Sequence, residues 1–75
     1  MSKTFYFLRG PHLHGTTVLA YETAQDRDTA VWAKRQSNIQ CEPIEWDEVC
    51  RIVEPDADGK RLVWGDFPNG GPTRL

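Results

Sequence analysis

At 75 residues the chain holds one small domain, able to bury roughly 60% of the surface its unfolded form exposes. Nine basic side chains against eleven acidic ones give a net charge of −2, which excludes a strongly basic module for nucleic acid or anionic membrane. With 39% hydrophobic and 11% aromatic residues the composition is that of a folded domain and not of a disordered chain.

Residues 3–8 are β-prone, with Phe5 and Phe7 on one face and Tyr6 and Leu8 on the other, the period of a strand. Gly10-Pro11-His12-Leu13-His14-Gly15 follows as a connection bounded by glycines. A second strand over 16–22 sets Thr17, Leu19 and Tyr21 against Thr16, Val18 and Ala20, completing a hairpin.

Thr23 then supplies an N-cap whose oxygen can accept from the backbone of Asp26, and Asp26 and Asp28 suit the positive end of a helix. The helix runs to Ser37, with Ala30, Ala33 and Ser37 on one face expected to pack on a sheet and Trp32 at its flank. Lys34 and Arg35 suit its negative end, and Asn38 is a stop signal.

Within 39–54 the apolar parity shifts: Ile44 and Trp46 share one phase, Val49 and Val53 the other. We read Asp47-Glu48 as a tight turn between two short strands. A bulge in one long strand, or a short helix over 43–51 with Pro43 first and acids in its first turn, are the other readings. Asp56-Ala57-Asp58-Gly59 is a turn signal that predicts 49–54 and 60–64 as antiparallel neighbours. Residues 67–75, with two prolines and an adjacent glycine pair, read as a mobile tail beyond a domain over 1–66. The expected fold is α+β: an antiparallel sheet of four or five strands with one helix on one face, ββαβ(β)β.

No apolar run reaches the roughly 20 residues of a membrane span, and Arg9 and Gly10 interrupt the start too early for a signal-peptide core, so the reading is cytoplasmic. Cys41 and Cys50 are read as structural thiols. Joined with His12 and His14 they make a nominal zinc set, but the close Cys pair of structural zinc sites is missing, and neither metal nor cofactor is expected. Residues 54–60 place acids at alternate positions before Gly59, as a calcium loop does. Gly65 stands where the bidentate glutamate belongs, and a hairpin turn is the better account. Glu45 and Asp47 could face one way from a strand as a carboxylate pair, yet nothing names a substrate, and the chain reads as non-enzymatic.

Charge is unevenly placed. Between Glu42 and Asp58 lie seven acids and one base, Arg51, a local charge of −6, while the remainder carries +4. Such polarity can steer a basic protein partner, and Glu45, Asp47, Glu48, Glu54, Asp56 and Asp58 are the candidate contacts. The plainer account is a solvated sheet edge whose acids block aggregation. The alternative function is a nucleic-acid-binding or regulatory module in which Lys34, Arg35, Lys60 and Arg61 form a basic patch beside Trp32 or Trp64. An exposed edge strand would also allow a symmetric homodimer.

The layout of an initial hairpin, a helix with Ala33-Lys34-Arg35, then antiparallel strands with Asp58-Gly59-Lys60-Arg61-Leu62-Val63 resembles the small phage-encoded anti-CRISPR proteins that act on type I systems, over roughly residues 4–66. That resemblance implies a non-enzymatic inhibitor in the host cytoplasm. It would bind the RNA-guided surveillance complex and obstruct target-DNA binding or nuclease recruitment.

Overall fold

The computed structural model describes residues 4–12, 15–68 and 70–75. Among them the chain runs β1 (Tyr6–His12), β2 (Gly15–Tyr21), α1 (Ala24–Gln36), β3 (Glu42–Ile44), α2 (Trp46–Ile52), β4 (Leu62–Gly65) and β5 (Thr73–Arg74). The architecture is α+β, with a five-stranded mixed sheet in the order β3-β1-β2-β4-β5.

The hairpin of β1 and β2 pairs Tyr6 with Tyr21 and Leu8 with Leu19. Successive side chains on a strand face opposite ways, so Phe7, Val18 and Ala20 belong to one face and Leu8, Leu19 and Tyr21 to the other. Each face has its own helix. Val31 of α1 packs with Leu8 and Cys41, against which Leu19, Tyr21 and Ala30 are partly buried. Val49 of α2 packs with Phe7, Val18, Ala20, Ile44, Val63 and Phe67 on the opposite face.

Both ends of α1 follow local chemistry. Thr23 Oγ1 accepts from the Asp26 amide at 3.0 Å. At the other end Asn38 takes φ +62, and the amides of Asn38 and Ile39 donate to the carbonyls of Arg35 and Lys34 at 3.1 and 2.9 Å. These two crossed bonds are the Schellman arrangement, which a residue tolerant of positive φ allows. The face turned to the sheet carries Val31 with half-buried Arg27 and Lys34, whereas Ala33 and Ser37, expected there, are exposed. Trp32, expected to cover the core edge, is 65% exposed.

Four expectations are corrected. First, Asp47-Glu48 is no turn between strands. It opens α2, where Glu45 is the N-cap and Asp47 and Glu48 fill the first turn. The parity shift that looked like a break is helical spacing: Trp46, Val49 and Val53 stand at i, i+3 and i+7. Second, 49–54 is therefore not the strand partner of 60–64. The Asp56–Gly59 turn exists, with Gly59 at φ +76 and its amide bonded to the Asp56 carbonyl at 3.0 Å, but it leads from a helix into β4. Third, β4 pairs in parallel with β2, Leu19 beside Trp64 and Ala20 beside Gly65, so the sheet is not wholly antiparallel. Fourth, the final segment contains β5, antiparallel to β4. Phe67 is buried and Leu75 packs against the core, so the packed structure passes residue 66.

Gly65 makes the parallel pair feasible. A Cβ at this position would overlap the backbone nitrogen, carbon and oxygen of Ala20, and the next amide, of Asp66, donates to that same Ala20 carbonyl at 2.9 Å.

Candidate functional site

The candidate acids fall into separate groups. Glu45, Asp47 and Glu48 crowd the start of α2. Arg51, one turn on, reaches Glu48 at 3.0 Å and Asp47 at 3.9 Å, exposed helix pairs that each contribute only a few tenths of a kcal/mol. Glu45 makes no ion pair among the described residues and is exposed, as is Glu54 beyond the helix.

Asp56 and Asp58 do different work. Asp56 Oδ1 accepts from the amides of Asp58 and Lys60 at 2.9 and 3.0 Å, closing the loop on itself. Its Oδ2 accepts from Arg74 Nε at 2.7 Å, and Arg74 Nη2 donates to Asp58 Oδ2 at 2.8 Å. The hydrogen bond from Arg74 holds the Asp56 carboxyl below the ordinary aspartate range, helped by the two amides. These two acids pin β5 to the loop by sharing the Arg74 guanidinium.

The basic candidates are not brought together. Arg35 Nε donates to the Cys41 carbonyl at 3.1 Å, which ties the last turn of α1, Lys34 included, toward the β3 edge. Arg61 Nε donates to the Val53 carbonyl at 2.9 Å, and the Arg61 backbone exchanges hydrogen bonds with Leu75 beyond β5. Lys60 and Arg61 thus run in line with β4, three strand spacings or roughly 14 Å from β3. Trp64, 55% exposed, lies on that side and Trp32 on the helix, so no stacking surface joins the two pairs.

Cys41 and Cys50 are both free thiols. They lie on opposite faces, and Cys41 Sγ donates to the Val31 carbonyl at 3.6 Å. Among the described residues no three His, Cys, Asp or Glu side chains are grouped as metal ligands. His14 and the side chain of His12 lie outside the described residues. No described helix is long and apolar enough to cross a membrane.

A feature the sequence did not single out lies beside the α2 acids. Thr4, Phe5, Phe7, Trp46 and Leu75 line an apolar groove of about 300 Å³. Its walls come from β1 and the residues before it, from the first residue of α2, and from the residue after β5. They are braced by ring contacts: Phe7 and Trp46 have centroids 5.6 Å apart, and Phe5 meets Phe67 edge-on at 5.1 Å. Trp46 remains 41% exposed, standing between Glu45 and Asp47. Helical spacing from Trp46 was the signal that could have revealed it, because it places the indole at the sheet-facing start of a helix. A wider cleft of about 840 Å³ is lined in part by Arg9, Arg35, Cys41 and Glu42, but Arg9 is held by Glu42 at 2.7 Å and Arg35 by the Cys41 carbonyl.

No family model, curated protein or solved structure matches the chain.

Proposed function

We propose that the chain is a small non-enzymatic protein-interaction module whose docking surface is the head of α2. The carrying observation is Trp46, 41% exposed, lining an apolar groove at the head of the helix whose N-cap is Glu45 and whose first turn holds Asp47 and Glu48. An exposed indole with an apolar wall supplies contact energy, and acids around it favour a basic partner and orient its approach. Glu45, Asp47, Glu48 and Glu54 are the contacts. Asp56 and Asp58 support the fold through Arg74. The partner that the layout resemblance suggests is a type I CRISPR surveillance complex, with the chain a phage inhibitor that occupies one of its surfaces.

The test is capture from a nuclease-treated lysate of bacteria carrying a type I system, with the wild type and a variant combining Glu45→Gln, Asp47→Asn, Glu48→Gln and Glu54→Gln as baits. We expect surveillance subunits on the wild type and at least tenfold less on the variant, whose circular dichroism is unchanged. Equal recovery on both baits would remove the acids from the interface. Recovery abolished by nuclease would replace this reading with nucleic-acid binding.

A further inference from the structure

We infer that the groove between Phe5, Phe7, Trp46 and Leu75 receives a single aromatic or branched aliphatic side chain from a basic segment of the protein partner, with a flanking Lys or Arg of that segment meeting Glu45 and Asp47. This rests on the interaction reading above and adds to it the chemistry of the occupant.

Three features carry it. The groove is preformed: Phe7 is buried in the core, Trp46 lies against it with the rings tilted by 41° and centroids 5.6 Å apart, and Leu75 is anchored by two backbone hydrogen bonds of 2.8 Å with Arg61. A rigid apolar wall loses little entropy when it is filled. Its size, about 300 Å³, is at the lower end of ligand pockets and suits one side chain better than a cofactor.

Charge then selects the kind of segment. None of the five lining side chains is charged, and among the described residues Glu45 has no ion pair while Asp47 meets Arg51 at 3.9 Å, which Glu48 holds more closely at 3.0 Å. An acidic segment would bring like charges together at this rim, whereas a basic one supplies the missing counter-charge. Leu62 and Trp64 on β4 are 52% and 55% exposed as well, but neither lines this groove.

The experiment is an NMR titration of the full chain with capped pentapeptides, following the Trp46 indole and Phe7 ring signals. The peptides are Lys-Lys-Phe-Lys-Lys, Lys-Lys-Ala-Lys-Lys and Glu-Glu-Phe-Glu-Glu. We expect saturable shifts with the first, and at least tenfold weaker binding of the other two. Thr4→Trp, which fills the groove from its exposed lip, should weaken the first peptide at least tenfold while amide shifts elsewhere in the sheet are kept. Trp46→Ala should do the same.

Equal affinity for the phenylalanine and alanine peptides would overturn the groove assignment and leave the acidic docking surface in place. Tight binding of the acidic peptide would overturn both. Peptide-free shifts at Trp46 that grow with protein concentration would make a second copy the occupant and overturn the basic partner. Absence of saturable binding by all three peptides would overturn the groove inference alone, the capture experiment deciding the docking reading separately.

Discussion

On the face covered by α1, thirteen helical residues accompany, among the described residues, three buried side chains, Leu8, Val31 and Cys41. The opposite face carries α2, about half as long, yet seven buried residues collect there among those described. The extra material comes from remote chain: Val63 of β4 and Phe67 after it are buried, with Phe5, Ile52, Val53 and Leu75 packed around them. Helix length therefore says little about how much a helix holds together. What matters is how many separate segments meet beneath it, since each removes apolar surface from water that a single helix could not cover.

The strongest way to break this comparison is at Gly65. Gly65→Ala would push a methyl into the backbone of Ala20 and separate β4 from β2. The cost should reach or exceed the roughly 3 kcal/mol at the top of the usual overpacking range, measured by urea denaturation. Amide exchange should show protection lost in β4, β5 and α2 before β1. Unchanged stability would mean that the parallel pair is not what assembles the larger face.

A finer probe deletes equivalent methyls on each side. Val49 is 0% exposed and Val31 6%. In the many-segment cluster the hole left by Val49→Ala has little freedom to collapse, and a loss of roughly 2–3 kcal/mol is expected. Val31→Ala, under a single helix that can settle inward, should cost about 1–2 kcal/mol. Equal losses would show that the two faces are equally well packed despite their different composition.

The smallest effect concerns the tether that holds β5 on the larger face. Asp56 is depressed below its ordinary value of 3.8 by the hydrogen bond from Arg74. A depressed carboxyl contributes stability that is fully present above the unfolded pKa and is lost as pH falls through the folded one. Asp56→Asn keeps an acceptor for the Asp58 and Lys60 amides and removes the ion pair. Wild type should exceed this variant in stability at pH 6, by a margin that shrinks in high salt and closes as pH drops below about 4. Thermal melts of both proteins across this range measure it. A margin independent of pH would assign Asp56 the loop alone.

Local features were legible in the sequence. The alternation of Phe7 with Tyr6 and Leu8, the Thr23 cap and the Asn38 stop each depend on a few neighbouring residues, and each stands in the structure as read; the Asp58-Gly59 turn also forms, but it follows a helix instead of joining two antiparallel strands. What escaped depends on contacts far along the chain. Seven-residue α2 has no side-chain cap, and a helix of that length is not stable by itself; Val49 packing against the sheet makes it a helix. Likewise two-residue β5 has no sequence signature, because its order comes from β4 and from Arg74 meeting Asp56 and Asp58. The groove was invisible for the same reason: its walls are residues 4, 5, 7, 46 and 75. The acids could be listed from the sequence, but which of them Arg51 and Arg74 engage could not.

The parallel register of β2 with β4 also constrains how the chain becomes folded. Forty residues separate the end of β2 from the start of β4, a long loop to close before the pairing returns any contact energy. During synthesis the β1–β2 hairpin and α1 emerge first, while Phe7, Val18 and Ala20 wait with one side bare until Val63 and Phe67 arrive. Chains halted before Gly65 should consequently be sticky on that one side, and ribosome-bound or truncated forms are the species a chaperone would meet.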